Sequence, residues 1–520
     1  MKNKLFVVFI LMLSGIIFAQ LKPESYKETA LNNSFSDEIK SNTIIDVFAK
    51  DDTVIVATNK GLSCSFDGGK NWKNSFGTPA FGSESVSAVT FYKGIIWATT
   101  SHSVERDGST LPEGSGLRYS TDFGNNWISV AQSVDNPADS IIVYGTNNIR
   151  ALPVTVAINN ISYDIAVTDD AVWTTNFAGG LRKSTDKGQT WQRVVLPPDN
   201  LDYIHPDSTY TFSLQPVAGN FGKESYLNHR VFSVVAVDDD TLFVGTAGGI
   251  NKSTDGGLSW RKYTHKNQAN PISGNFVVSI DYNHFDKSIW AAAWKAEGES
   301  EFYGISSSHD GGKNWQTYLS GFKIHDFAFM NTEPDESLVL AAADDGLYIS
   351  EKTCDSWISA PEIYDPGREF QVLKNKFYSV AVPGINSSTI WAGTAGEGLA
   401  KFTKTGNEWT GIWQSFFVSK KIENKEDCYA FPNPFSPDEE SVRIKYVIPA
   451  EGAKVTIRIL DFGMNLVRTV IQNVARAGES EQIDFWDGKD DDGKIVPNGV
   501  YFFRIDSEGD AQYGKIIVLM

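Results

Sequence analysis

The chain has 520 residues, with 46 Lys and Arg against 64 Asp and Glu, and carries a net charge of −18 at pH 7. No basic cluster interrupts that acidity, which excludes nucleic acid as a partner, because phosphate binding needs grouped Lys and Arg. Cys64, Cys354, Cys428 and the seven dispersed histidines fit no zinc or redox spacing, so neither a metal nor a cofactor is expected.

Residues 1–19 read as a secretory signal peptide: Lys2 and Lys4, then an apolar run from Leu5 to Phe18, then the small Ala19. No later apolar stretch approaches the roughly 20 residues of a membrane helix. A lead-in of residues 20–40 precedes a repeat region spanning 41–418.

Within 41–418 an octapeptide, Ser-x-Asp-x-Gly-x-x-Trp, recurs five times. Its copies are Ser65, Asp67, Gly69, Trp72; Ser120, Asp122, Gly124, Trp127; and Ser184, Asp186, Gly188, Trp191. Two more follow at Ser253, Asp255, Gly257, Trp260 and at Ser308, Asp310, Gly312, Trp315, with worn copies at 350–357 and 402–409. Around Trp260 the unit reads VFSVVAVDDD, TLFVGTAGG, INKSTDGG, WRKYTH, which is four β-branched or aromatic runs divided by Asp and Gly turns. Trp-to-Trp steps of 42 to 69 residues suit a four-stranded blade with variable loops. Seven such units predict an all-β, seven-bladed β-propeller.

The octapeptide falls between the third and fourth strands of its unit. Asp at its third position is suited to accept turn N–H groups, and Ser to assist. Gly at the fifth tolerates positive φ. The Trp opens the outermost strand and is expected to fold its ring back onto its own blade. Turns spread around a ring cannot meet, so the aspartates are read as structural.

These residues resemble the Asp-box, or bacterial neuraminidase repeat, shared by sialidases, sortilin-type receptors, xyloglucan-cleaving hydrolases and photosystem assembly factors. "TLFVGTAGGINKSTDGG" at 241–257 is also similar to a blade motif of periplasmic sensor-kinase propellers. The resemblance implies a propeller and no single activity. A sialidase would carry a Phe/Tyr-Arg-Ile-Pro arginine before its first box, yet no arginine precedes Arg106. Xyloglucan hydrolases place their acidic pair between two tandem propellers, and this chain has material for one. An unrelated hydrolase would need only two carboxylates about 5–9.5 Å apart. Asp238-Asp239-Asp240 and Asp344-Asp345 read as solvated turns.

Long insertions at 99–116, 131–160, 196–230, 263–276, 293–304 and 360–376 are expected on one face of the ring, where recognition loops gather. The candidate ligand contacts on this face are Arg106, Arg150, Phe177, Tyr203, His205, Asn228, His229, Arg230, Asn275, Phe276, Trp294 and Glu297. Asn228 to Arg230 and Asn275 immediately precede innermost strands, which puts them near the mouth of the central channel. The alternative for these residues is that they tie neighbouring blades together.

After a charged connector, 419–428, residues 429–520 alternate short strands with Gly and Asp turns, the rhythm of a small β-sandwich. Phe431-Pro432-Asn433-Pro434-Phe435, Asp461, Gly463, Trp486-Asp487-Gly488, Asp490, Asp492-Gly493 and Pro497 through Tyr501 resemble the immunoglobulin-like domain of FlgD flagellar hook-capping proteins. They are similar, too, to C-terminal sorting domains of type IX secretion. That resemblance implies export or surface display, with secretion machinery as a partner. The chain as a whole reads as a secreted or cell-surface propeller that binds an extracellular glycan or protein without chemistry. A glycan-active hydrolase and an envelope assembly scaffold are the alternatives.

Overall fold

The computed structural model of the chain describes residues 38–520, apart from 215–226, 296–299, 334–335, 352–353, 369, 374, 385, 420–421, 423–426, 439–440, 449–450, 479–480 and 508–509. The expected signal peptide and most of the lead-in lie outside the described residues. Two compact units are present. One runs to Phe370 and includes Phe377–Thr394 and Gly398–Phe416; the other is Phe417–Met520 with Gln371–Lys376 and Ala395–Glu397.

The first unit is a seven-bladed β-propeller. Seven antiparallel sheets follow in chain order, each a meander running from an innermost to an outermost strand. Their innermost strands are Ile44–Lys50, Ser85–Tyr92, Ser162–Val167, Val231–Ala236, Phe276–Asn283, Ile324–Glu333 and Phe377–Ala381, one for each of blades 1 to 7. Each innermost strand touches the next, and the last touches the first, so the ring is closed. The second strands, such as TVIVAT, TLFVGT and SIWAAAW, are buried along nearly their whole length, because every blade is covered by a neighbour on each face. Their small residues set the spacing of the blades. A Cβ on Gly245 would stand 2.6 Å from Val277 of blade 5, and one on Gly393 would stand 2.5 Å from Ile44 of blade 1.

The octapeptides build a repeated turn. Ser65 Oγ donates to Asp67 Oδ1 at 2.8 Å and accepts from Gly69 N at 2.9 Å, while Asp67 Oδ1 accepts from Lys70 N and Asn71 N. The same Ser–Asp and Gly–Ser bonds recur at Ser120, Ser184, Ser253 and Ser308. Backbone and side-chain donors hold the Asp122 and Asp186 carboxyls down at about 2.

The tryptophan does not fold back onto its own blade, as the sequence suggested. Its ring enters the preceding one. Trp72 of blade 1 packs edge-on against Trp391 and Phe416 of blade 7, and Trp260 of blade 4 joins Trp173 and Leu181 of blade 3. Trp127, Trp191 and Trp315 do the same against blades 1, 2 and 4. The reason is area: the outermost strand of a box-bearing blade is only two to four residues long, whereas the preceding blade offers a buried aromatic face. Lysines reinforce the seam. Lys401, Lys183 and Lys252 lie over Trp391, Trp173 and Phe243 of their own blades and donate to Gly68 O, Gly256 O and Gly311 O of the next box.

A second set of contacts joins the blades at the axis. An innermost strand has no partner on its channel side, so its N–H groups there need acceptors. Val89 N donates to Asp46, Val234 N to Asp164, Val380 N to Asp326 and Val47 N to Ser379 Oγ, each time across to a neighbouring blade. Desolvation raises these carboxyls, Asp46 to about 6 and Asp164 and Asp326 to about 7; repulsion from Asp46 adds to it at Asp164 and Asp326. Burial also lifts Asp281 to about 6.

The second unit is a β-sandwich. A sheet of Tyr429–Phe431, Val442–Val447 and Glu481–Trp486 faces a sheet ordered Leu466–Arg476, Ala453–Leu460, Gly499–Ser507, Asp510–Val518. Ile444, Tyr446, Ile457, Ile459, Trp486 and Phe503 fill its core. The acidic run Asp490–Asp492 is a turn in which Asp490 accepts from Lys494 N and Asp491 accepts from Thr469 N.

Two outcomes follow from the seams. Trp72→Ala should cost about 3–5 kcal/mol, read as a lowered denaturant midpoint, because among the described residues the blade 7 to blade 1 closure contains no exchanged strand. Stability should also fall between pH 4 and pH 7. Asp46, Asp164, Asp281 and Asp326 bind protons more tightly folded than unfolded, so their contribution is full below about pH 4 and is lost as pH rises through 6–7. His229, lowered to about 4, works in the opposite sense over that window, one group against four. Thermal unfolding at pH 5 and pH 8 reads the difference, and Asp164→Asn should reduce it.

Candidate functional site

In each four-stranded meander, the start of the first strand, the turn between the second and third, and the linker from the previous blade lie on one face. Every innermost strand carries a register shift near its start on this face. A bulge turns the extra residue out of the ladder and re-aims its side chain. The bulged residues are Ile45, Ser87, Tyr163, Phe232, Val278, His325 and Tyr378, and they ring the mouth of the channel.

From blade 3 to blade 7 these residues join others in a continuous arc of rings. Tyr163 and Phe177 pack on Phe232 at 5.4 and 6.1 Å, Phe232 on Phe276 at 4.6 Å, and Phe276 stacks on Trp294 at 6.0 Å. His325 meets Trp294 edge-on at 5.4 Å and Tyr378 at 5.2 Å. Trp294 is fixed by a 2.7 Å bond from Nε1 to Ile324 O. Cations cover two of the rings: Arg230 lies 5.3 Å over Phe177, and Lys323 lies 4.3 Å over Trp294. Asp344 accepts from His325 Nε2 at 2.6 Å and pairs with Lys323 at 3.6 Å. It sits in a turn, as expected, and is partly covered there by these two partners. Burial pushes the Tyr163 hydroxyl up to about 12, so it stays protonated as a donor at neutral pH.

The sequence-derived candidates separate into groups. Phe177, Arg230, Phe276 and Trp294 belong to the arc. Asn275 stands beside it, accepting from His265 N and donating to Glu301. Asn228 is buried, with its amide bonded to Pro197 O, Asn251 and Thr246. His229 packs against Gly180 and is kept neutral by burial and by Arg182 and Arg193. Asn228 thus braces the entry to blade 4 against that blade's own second and third strands, and His229 lies across the seam to blade 3.

Arg106 ends a long strand, Ile95–Arg106, whose hairpin with Ser109–Ser120 replaces the loop expected at 99–116. His102 within it bridges Glu84 and Glu113 at 3.3 Å each. Arg150, Tyr203 and His205 lie at the outer rim instead of the mouth. Tyr203–Ile204 adds a fifth strand outside blade 4, and insertion 131–160 is stitched to insertion 196–230 through Asn147 and Arg150 O. These insertions bury Ile142, Tyr144 and Ile149 against Trp260, and that apolar gain takes them to the rim. Glu297 lies outside the described residues.

Tyr163, Phe232, Lys323, His325 and Tyr378 were missed in the sequence. The signal for Phe232, His325 and Tyr378 was available: an apolar residue, one variable residue, then Asp or Ser opens five inner strands, as in Ser379 after Phe377-Tyr378. Asn228→Ala should lower stability by about 1–3 kcal/mol, the cost of stranding a buried polar partner, and leave the arc intact. Thermal unfolding and the intrinsic fluorescence of the arc tryptophan read these two effects.

Comparison with known proteins bears on both units. Residues 433–510 match the FlgD Ig-like domain family. A probable oligoxyloglucan-reducing end-specific xyloglucanase of Neosartorya fischeri is 25% identical over 229 residues, 40% of this chain and 28% of that enzyme. The chain therefore matches well under a third of that relative's length. Among solved structures, a GH74 enzyme of Niastella koreensis is 14% identical with a TM-score of 0.49, covering 91% of this chain and 72% of that one. YCF48 from Cyanidioschyzon merolae is 16% identical with a TM-score of 0.40, covering 70% and 96%. By its own sheet order the first unit is a β-propeller, and by the family match the chain ends in a FlgD Ig-like domain.

Proposed function

We propose that this is an exported binding protein whose propeller recognises a glycan or a protein at the aromatic arc and performs no chemistry on it. The observation that carries the reading is the arc itself. Phe177, Phe276 and Tyr378 are partly exposed and are backed by the buried rings of Phe232 and Trp294, so the arc offers apolar area at small entropic cost, and the adjacent Arg230, Lys323 and His325 supply orienting polar groups. The octapeptides, in this reading Asp-boxes, serve the blade seams and not the ligand. The C-terminal domain serves export or surface attachment through secretion machinery. One observation favours a second reading as a glycan-active hydrolase: the 25% identity with a xyloglucanase.

A screen of the full chain against diverse polysaccharides separates the two. Retention on one glycan without release of reducing ends is expected, with Trp294→Ala and Tyr378→Ala each weakening it about tenfold or more. Release of reducing ends abolished by a single carboxylate substitution would replace the binding reading with the hydrolase. Failure on every glycan, with capture of an envelope protein through the same arc residues, would identify a protein ligand.

A further inference from the structure

The hairpin of blade 2, Ile95–Arg106 with Ser109–Ser120, is held at its root by a cluster that the aromatic arc does not use. Glu84 immediately precedes the innermost strand of the blade, His102 lies on the second strand, and Glu113 and Ser115 lie on the third. His102 and Glu113 are a directly opposed cross-strand pair, so their side chains share one face. Ser115 reaches the same place through a bulge. Thr100 pairs with Gly116 and Ser101 with Gly114, which leaves Ser115 as the extra residue, re-aimed out of the ladder. Gly116 permits this at φ 98, where a Cβ would stand 2.2 Å from Val130 O.

The contacts made there exceed what a neutral imidazole can serve. His102 Nδ1 stands 2.8 Å from Ser115 Oγ and 3.3 Å from Glu84, and Nε2 stands 3.3 Å from Glu113. Ser115 Oγ donates to Glu84 at 2.5 Å, so its proton is committed and Nδ1 must be the donor toward Ser115. Neutral imidazole has one N–H and one lone pair. With the proton on Nδ1, a bare Nε2 faces the Glu113 carboxylate, two acceptors with no hydrogen between them. Only the imidazolium, donating from both nitrogens, satisfies both glutamates. Its side chain is 39% exposed, which leaves it in exchange with solvent protons. Arg118 lies beside Glu84, with its guanidinium taken up by Ala80 O and Ser115 O. Glu105, bonded to Thr110, and Arg106 lie further up the hairpin. Insertion 131–160 meets the third strand through Gln132, Ala157 and Asn160, none of which titrates.

From this we infer that the root of the blade 2 hairpin is a proton-operated clasp. Protonated His102 joins the linker and both hairpin strands through Glu84, Ser115 and Glu113, and loss of its proton releases Glu113. Imidazole exchanges its proton between pH 5 and pH 8. The residues beyond the clasp, 103–112, are held firmly in mildly acid solution, and that hold is lost as pH rises. The device rests on blade 2 alone and is independent of the aromatic arc and its ligand.

Amide exchange of the full-length protein at pH 5 and pH 8, with times scaled for the intrinsic pH dependence, reads the effect in peptides covering 103–112. Protection there should fall about tenfold from the acid to the alkaline sample, the worth of one charge-assisted hydrogen bond. Strand Ser288–Trp294 of blade 5 is the reference that removes any global change in stability. His102→Gln should abolish the difference between the two samples. Glu113→Gln should abolish it from the other side: its amide N–H meets the bare Nε2, so neutral His102 is fully bonded and protection at pH 8 stays at the acid level. No difference in the unaltered protein, an equal difference in His102→Gln, or a Glu113→Gln hairpin that loosens at pH 8 as the parent does would each overturn the proposal.

Discussion

The propeller depends on one contact repeated around the ring: the tryptophan of each of the five full octapeptides packed into the blade before it. A blade alone is a small, twisted sheet with two apolar faces and cannot bury both. The Ser–Asp–Gly turn holds the loop in one conformation, and the ring leaves its own sheet to cover the neighbour's. Gly257 sits so close to Trp173 of blade 3 that a Cβ there would approach within 2.6 Å. Lysines such as Lys183 act twice, over an aromatic ring of their own blade and on a carbonyl of the next. The worn copy at 402–409 departs from this: Trp409 stacks on Trp413 and meets Phe402 of its own blade, and reaches blade 6 through the bond from Nε1 to Ile358 O.

Closure at the rim leaves the axis with a different problem. Seven edge strands converge there, and their unpaired N–H groups face inward. Asp46, Asp164 and Asp326 satisfy three of these across blade boundaries, at the cost of bringing carboxyls out of water and near one another. Their raised proton affinity follows from that arrangement and needs no catalytic purpose. A perturbed carboxyl is often taken as a sign of an active site; here the hydrogen-bond partners are backbone groups of the scaffold.

The rim and the axis together fix the mouth. Because each innermost strand is held from both sides, the bulge at its start projects one residue in a repeatable direction, and five successive blades use it or its neighbours to place rings. Recognition is thus assembled from one position per blade. The longest insertions, which seemed the natural recognition loops, spend their apolar residues on covering blade 4.

The sequence by itself determined the number of blades, the place of each turn and the presence of a separate sandwich, because those rest on local periodicity and on residues with narrow backbone preferences. It also placed Phe177, Arg230, Phe276 and Trp294 on the right face, since strand order dictates which loops share a side. The tertiary structure alone decided where the tryptophan rings go, that Asn228 is sealed in a hydrogen-bonded pocket, and that Tyr203 and His205 lie at the rim. It alone joined Tyr163, Phe232, His325 and Tyr378, each separated from the next by 53 to 93 residues. The physical reason is the same in every case: a residue's strand and turn are set by its neighbours in the chain, whereas the blade it touches is set by which apolar area remains uncovered once the ring has closed.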